Sequence, residues 1–176
     1  MPDHTPVPPG IDVTRPSSAR VYDYLLGGKD NYQPDREVAE QVLQLAPELK
    51  NVAVENRRFL IRVVKQLAGQ GFDQFIDLGS GLPTQENVHE VAQSINPDAR
   101  VVYVDRDPLV LAHAQALLGS GRNNVAYVHA DIRDLNTVLG DIEERQLIDF
   151  RRPVVLLLVA VLHFVADADG PAGLVA

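Results

Sequence analysis

The chain has 176 residues, 45% of them hydrophobic, a formal charge of −8 and no cysteine, which suits one globular domain and excludes disulfides and thiolate metal sites. The acidic balance argues against general affinity for nucleic acid, because phosphate binding is driven by lysine and arginine, and leaves a small molecule as the expected partner. The longest apolar run, Val154 to Leu162, falls far short of the roughly 20 residues that span a bilayer, and no basic start leads into an apolar stretch as in a secretory signal, so a cytoplasmic protein without membrane contact is expected.

Residues 1–17, rich in proline and threonine and without apolar periodicity, read as a mobile tail. Helical signals then run through residues 18–70, a helical cap ahead of the first strand. Ser18 is placed to cap a short helix through Leu26, which Gly27-Gly28 ends. Pro34 opens a second helix to about Leu45. Val52 to Leu67 forms a third, with Phe59, Leu60, Val63, Val64 and Leu67 on its apolar face. Arg57, Arg58, Arg62 and Lys65 recur at helical spacing along it and read as a solvated face, a local basic groove being the alternative.

The segment from Arg20 to Tyr32 is polar, aromatic and glycine-bearing, unlike a mere leader. By position it is a candidate lid over a cofactor or acceptor, with Tyr22, Tyr24, Lys29, Asp30 and Asn31 as contacts, or else a capped helix and loop on the outside of the domain. It is not a phosphate loop, because Gly28-Lys29 is followed by Asp30 and the upstream glycine position holds Asp23.

Residues 71–176 carry a different pattern. Gln74 to Leu78 is an apolar strand running into Gly79-Ser80-Gly81, and Val101 to Val104 is a second strand ending in Asp105. Val125 to Val128 is a third, running into His129-Ala130-Asp131-Ile132, and Pro153 to Val159 a fourth, followed by Ala160 to Phe164. Helices are expected near Gln85 to Ser94, at Pro108 to Leu118, and more weakly near Leu135 to Leu147. Alternation of strand and helix signals a parallel α/β sheet, whose ligands sit outside the carboxyl ends of the strands. Gly79 and Gly81 would let the backbone turn tightly and approach a ligand, and the helix that follows would present free N–H groups to an acceptor.

Asp105, at the second strand tip, is placed to accept from a ribose diol. Asp131 could accept from an adenine amino group while Ile132 covers the ring. Asp77 would orient the glycine turn or meet a positive centre of the ligand, with Ser80 between the glycines, Arg106 beside Asp105 and Val159 at the end of the fourth strand as further lining. Asp107 precedes Pro108 and could serve only as an N-cap. A dinucleotide turn wants a third glycine where this chain has Thr84, preceded by Pro83. A cofactor without pyrophosphate is therefore favoured, and S-adenosylmethionine, with adenine, ribose, sulfonium and an amino-acid tail, suits the acidic lining.

The five histidines show no i, i+4 pair of the helical zinc type, and no metal is expected. His163, just past the fourth strand, is a candidate general base or acceptor contact, or a structural residue at the rim. Ser80 does not complete a hydrolase elbow.

These blocks resemble the bacterial S-adenosylmethionine-dependent methyltransferases once catalogued as DUF574, the S-adenosyl methyltransferase or Methyltransf_19 family. The resemblance runs from about Pro16 and rests on Ser18 to Asn31, Phe75 to Thr84, Asn87 to Glu90, Val104 to Pro108 and Leu157 to Phe164. It implies a Rossmann-like class I fold with sheet order 3-2-1-4-5-7-6. Here the chain stops at Ala176, so strands five to seven are expected to be missing, leaving the fourth as an unpaired apolar edge open to self-association. It also implies direct methyl transfer to an acceptor, helped by alignment and exclusion of water. Asp105 and Asp131 would fix the nucleoside, Gly79 to Gly81 the amino-acid end, and the N-terminal helices the acceptor. The rival readings are a non-catalytic nucleoside-binding module and, disfavoured by Thr84 and Asp131, an NAD-dependent oxidoreductase.

Overall fold

The structure, a computed structural model, describes residues 7, 11–83, 86–118 and 124–174; Thr84 and Gln85 lie outside the described residues. Three helices come first, α1 (Ser18–Leu25), α2 (Gln33–Leu45) and α3 (Leu49–Gly69). There follow β1 (Gln74–Leu78), α4 (Val88–Gln93), β2 (Arg100–Asp105), α5 (Pro108–Leu118), β3 (Val125–His129), α6 (Leu135–Glu144) and β4 (Val155–Leu157), then short 3-10 turns at Leu162–Phe164, Asp167–Asp169 and Pro171–Leu174.

The strands form one parallel sheet in the order β3-β2-β1-β4, matching the order expected for the first four strands of a Rossmann-like fold. Because both faces are covered, β1 is buried at all five positions and reads as an unbroken apolar run rather than an alternating one. Phe75, Val101, Tyr103, Val125 and Tyr127 face a layer containing Leu60 and Val64 of α3 and Val88 and Val91 of α4. Ile76, Leu78, Val102, Val104 and Val128 face Val138 and Ile142 of α6 and Val165 and Leu174 after β4. The polar start of β1 is accounted for by Gln74, fully buried, whose amide donates to the Asp149 carbonyl at 3.1 Å and accepts from Asp149 N–H at 2.7 Å.

Several element boundaries differ from the sequence expectation for local reasons. Ser17, not Ser18, is the N-cap of α1 and makes no side-chain cap bond, because its hydroxyl is spent on Asp107. Helix α3 is longer than Val52 to Leu67, and its buried stripe is Ala53, Leu60, Val64 and Ala68. Phe59, expected on that face, is half exposed, since one residue away from Leu60 turns it about 100° around the helix. Strand β4 is shorter than Pro153 to Val159: it pairs with β1 only from Val155 to Leu157, and Ala160 then turns left-handed at φ +54. Among the described residues β4 pairs with β1 alone, and Leu156 stays 45% exposed.

A buried arginine joins the helical cap to the sheet. Arg20, 3% exposed, sits in ion-pair contact with Asp35 of α2 at 3.1 Å, with the Asp107 carboxylate at 4.0 Å. Its guanidinium also donates to the carbonyls of Asp12 and Arg15, so part of the stretch expected as a tail is held against the cap. Among the described residues no helix is long and apolar enough to cross a membrane.

Candidate functional site

The carboxyl ends of β1, β2 and β3 and the segment after β4 surround a cleft of about 120 Å³, whose other walls are Ser18, Ala19 and Tyr22 of α1 and Asn56, Arg57 and Leu60 of α3. Strand β1 ends where Gly79 turns left-handed at φ +73, and Gly81 does so again at φ +67. The turn is sewn to β2: Gly79 and Ser80 N–H donate to the Val104 carbonyl at 2.8 and 3.2 Å, and Gly81 N–H donates to Asp105 Oδ2 at 2.8 Å.

The two glycines differ in what surrounds them. A Cβ on Gly79 would come within 2.9 Å of Val161 Cβ, while one on Gly81 would meet nothing. Gly79 must thus be bare to admit Val161, a requirement that the sequence reading did not include, while it also lines the cleft; Gly81 leaves open space. Several of the N–H groups expected to be free at the next helix are engaged, His89 N–H among them on the Tyr103 hydroxyl. Helix α4 starts at Val88 and is closed by its own Asn87 and Glu90 capping box, with Asn87 N–H on Glu90 Oε2 at 2.8 Å.

Parallel register sets Asp77, Tyr103 and Tyr127 side by side in one row across β1, β2 and β3. Tyr103 stacks on Tyr127 with centroids 4.7 Å apart, and its hydroxyl accepts from His89 N–H at 2.8 Å. Asp77 is 4% exposed, and burial pushes its carboxyl up to about 7 against the opposing charge of Arg57. Burial likewise raises Tyr127 to about 12. Beneath the glycine turn a cavity of about 10 Å³ lies among Arg57, Asp77, Asn87, Tyr103 and Tyr127, near the minimum that holds one water.

Asp105 accepts from Gly81 N–H through Oδ2 and from Asp107 N–H at 2.9 Å through Oδ1. Burial raises its pKa, and those two N–H groups, with that of Arg106, work against the rise. Asp107 caps α5, its Oδ1 accepting from Leu109 N–H at 2.8 Å. Asp131 is placed differently from the expectation of a free acceptor. Arg133 grips it with Nε on Oδ1 at 2.9 Å and Nη2 on Oδ2 at 2.7 Å, and Arg106 Nη1 stands 3.5 Å from Oδ2. These bonds hold its carboxyl well below the usual carboxylate range. Arg133 also reaches Asp169 Oδ2 at 3.1 Å, tying the β3 tip to the segment after β4.

Of the other sequence candidates, Ser80, Arg106, Ile132, Val159 and Tyr22 line the cleft. Tyr22 is held by its hydroxyl, which donates to the Ala53 carbonyl at 3.1 Å and accepts from Asn56 Nδ2 at 2.9 Å. The remaining lid candidates are elsewhere. Tyr24 bonds Glu40 on the outside, Lys29 is exposed, and Asp30 faces His113 at 3.5 Å. Asn31 is buried, donating to Asp23 Oδ2 at 2.8 Å and to the Gly28 carbonyl at 3.1 Å; it closes its own loop. His163 is exposed with its ring tilted against that of Phe164, and Phe164 rather than His163 lines the cleft.

Sequence reasoning left out Asn56, Arg133 and Phe164 as site residues, and read Arg57 as part of a solvated face with a local basic groove as the alternative. For Arg57 a signal was present: it lies four residues after Ala53 and three before Leu60, on the stripe that α3 buries. Its Nη2 donates to the Glu86 carbonyl at 3.0 Å, and its Nε is buried with no hydrogen-bond partner.

Two solved structures share this fold over nearly the whole chain. A candidate methyltransferase from Thermobifida fusca YX is 50% identical with a TM-score of 0.90, over 98% of this chain and 65% of that one. A DUF574 family protein from Streptomyces avermitilis MA-4680 is 44% identical with a TM-score of 0.88, over 93% of this chain and 63% of that one. This chain therefore spans just under two thirds of the length of either. No curated protein matches it. The glycine turn sewn to an acidic β2 tip, on a 3-2-1-4 parallel sheet, agrees with a family profile that matches residues 4–176, and the chain belongs to the S-adenosyl methyltransferase family.

Proposed function

We propose that the chain binds S-adenosylmethionine in this cleft and transfers its methyl group to a small-molecule acceptor by direct in-line displacement. The observation that carries the reading is the convergence of Asp77, Gly81 and Asp105 on one cleft at the strand tips. The residues present fit the group. A carboxylate has about four lone-pair sites; Asp105 turns them to the N–H groups of Gly81, Asp107 and Arg106 and keeps capacity for one further bond from a ribose hydroxyl. Ile132, buried at the β3 tip, offers an apolar face to adenine. Asp131 has its oxygens engaged by Arg133 and Arg106, so reaching the adenine amino group requires those arginines to yield. Asp77 turns its carboxyl toward the cationic end.

When bound, the cofactor supplies an electrophilic methyl on its sulfonium. The chain's own residues bind, align and exclude water, the sources of rate that need no covalent enzyme intermediate. Tyr22, Asn56 and Phe164 are the walls offered to the acceptor, and Tyr22 is already locked by two hydrogen bonds.

Calorimetric titration of the purified chain with S-adenosylhomocysteine, with NAD as comparator, tests the reading. Selective binding of the adenosyl ligand is expected. Asp105→Ala should weaken it about tenfold or more, the equivalent of about 1.4 kcal/mol. An unchanged affinity in that variant overturns the ribose placement, and tight NAD binding would return the oxidoreductase reading.

A further inference from the structure

The glycine turn is expected to receive the amino-acid end of the cofactor, yet its N–H groups are already used. Gly79 and Ser80 N–H both point to the Val104 carbonyl, and Gly81 N–H to Asp105. At the start of helix α4, Glu90 N–H is taken by the capping box and His89 N–H by the Tyr103 hydroxyl. An α-amino acid carries a carboxylate as well as an ammonium, and a carboxylate in such a cleft needs a donor. Arg57 meets that need. Its stem lies on the buried stripe of α3, its Nη2 is moored to the Glu86 carbonyl, and its Nε is buried without a partner. A buried donor left unmade is costly, more so on a charged group, so the unpaired guanidinium N–H of a residue that lines the cleft marks a place where an acceptor belongs. Across from it on β1, Asp77 supplies the opposite charge, and both residues line the cleft.

We infer that Arg57 receives the carboxylate of the cofactor's amino-acid end while Asp77 receives the ammonium, so that Arg57 makes the cleft selective for adenosyl ligands that retain the carboxylate. The inference rests on the proposed S-adenosylmethionine reading and assigns one half of its recognition to a side chain of the helical cap. A planar fork suits this task better than an ammonium, since guanidinium N–H groups match a carboxylate in direction as well as charge.

The test compares three ligands by calorimetry: S-adenosylmethionine, its decarboxylated form, which keeps the ammonium and the sulfonium, and 5′-methylthioadenosine, which lacks the whole amino-acid end. The wild-type chain should prefer S-adenosylmethionine over the decarboxylated form by about tenfold or more, about 1.4 kcal/mol. Arg57→Met should erase that preference while leaving affinity for methylthioadenosine unchanged, and Arg57→Lys should keep part of it. A wild-type chain without the preference overturns the inference whether or not the variants fold. So does an Arg57→Met chain that keeps the preference or weakens all three ligands alike, the latter showing that Arg57 only props the Glu86 loop. Failure of every adenosyl ligand to bind a chain shown folded by circular dichroism overturns the cofactor reading itself, whereas methylthioadenosine bound without discrimination for the carboxylate overturns Arg57 alone.

Discussion

Replacing Asp77 by asparagine isolates the cost of carrying a carboxylate in the floor of the cleft. The side chain is 4% exposed and its carboxyl is pushed from 3.8 to about 7, by burial first, with Arg57 opposing and Asp105 adding to the rise. A carboxyl whose pKa is higher folded than unfolded binds its proton more tightly in the folded chain. Its penalty is therefore absent below about pH 4, grows as the pH rises, and is complete once the folded value is passed. At about 1.4 kcal/mol per pH unit the whole interval amounts to about 4 kcal/mol, of which roughly 2 kcal/mol develops between pH 5 and pH 7. Asparagine does not titrate, so Asp77→Asn should gain about 2 kcal/mol on the wild type across that range. The assay is urea unfolding at half-unit pH steps, where a change in midpoint at constant slope reports stability. Asp131 and Asp149, whose carboxyls lie low, lose their contributions only toward more acid pH and do so in both chains, so they cancel in the difference. A stability difference that is flat from pH 5 to pH 7 would refute the buried-carboxyl account.

Two further substitutions test how the site is assembled. Gly79→Ala should cost about 2–5 kcal/mol, from about 1–2 for a side chain in left-handed backbone and about 1–3 for overpacking against Val161; Gly81→Ala should show only the backbone part, and Val161→Ala should restore some of what Gly79→Ala loses. Equal melting temperatures for the two alanine variants would show that Val161 does not set the requirement at Gly79. Arg20→Met leaves Asp35 buried without its cation, which should cost about 3–5 kcal/mol and lower the melting temperature by about 10 °C for a chain of this size; a drop of a degree or two in a circular dichroism melt would mean that the Arg20 joint does not hold the cap to the sheet.

Much of the frame was legible because its signals are local. Each strand of a parallel sheet covered on both faces is a short apolar run, and helices here carry their own punctuation: Pro34 at the start of α2, Asp107-Pro108 at the start of α5. Strands running the same way all end on one edge, so Asp77, Asp105 and Asp131 could be placed together before any distance was known. Where the reading went astray, a distant segment had claimed the residue. Asn31 is drawn to Asp23 and Gly28 rather than to the cleft. Asp131 is held by Arg133, which is itself pulled by Asp169, 36 residues on. Phe59 and Arg57 are two residues apart on α3, and only the packing of that helix on the sheet turns the phenylalanine outward and the arginine inward.

The sequence by itself determined the class of fold, the order of its elements and the row of acids at the strand tips, because periodicity, capping residues and turn glycines act within a few residues of themselves. The tertiary structure alone decided which of those polar groups remain open to a ligand. Gly81 N–H is spent on Asp105, Gly79 is bare for Val161, and the Arg57 Nε is left unpaired in the wall of the cleft. Whether a donor or acceptor is free depends on what the rest of the chain brings within about 3 Å of it, and no local pattern encodes that.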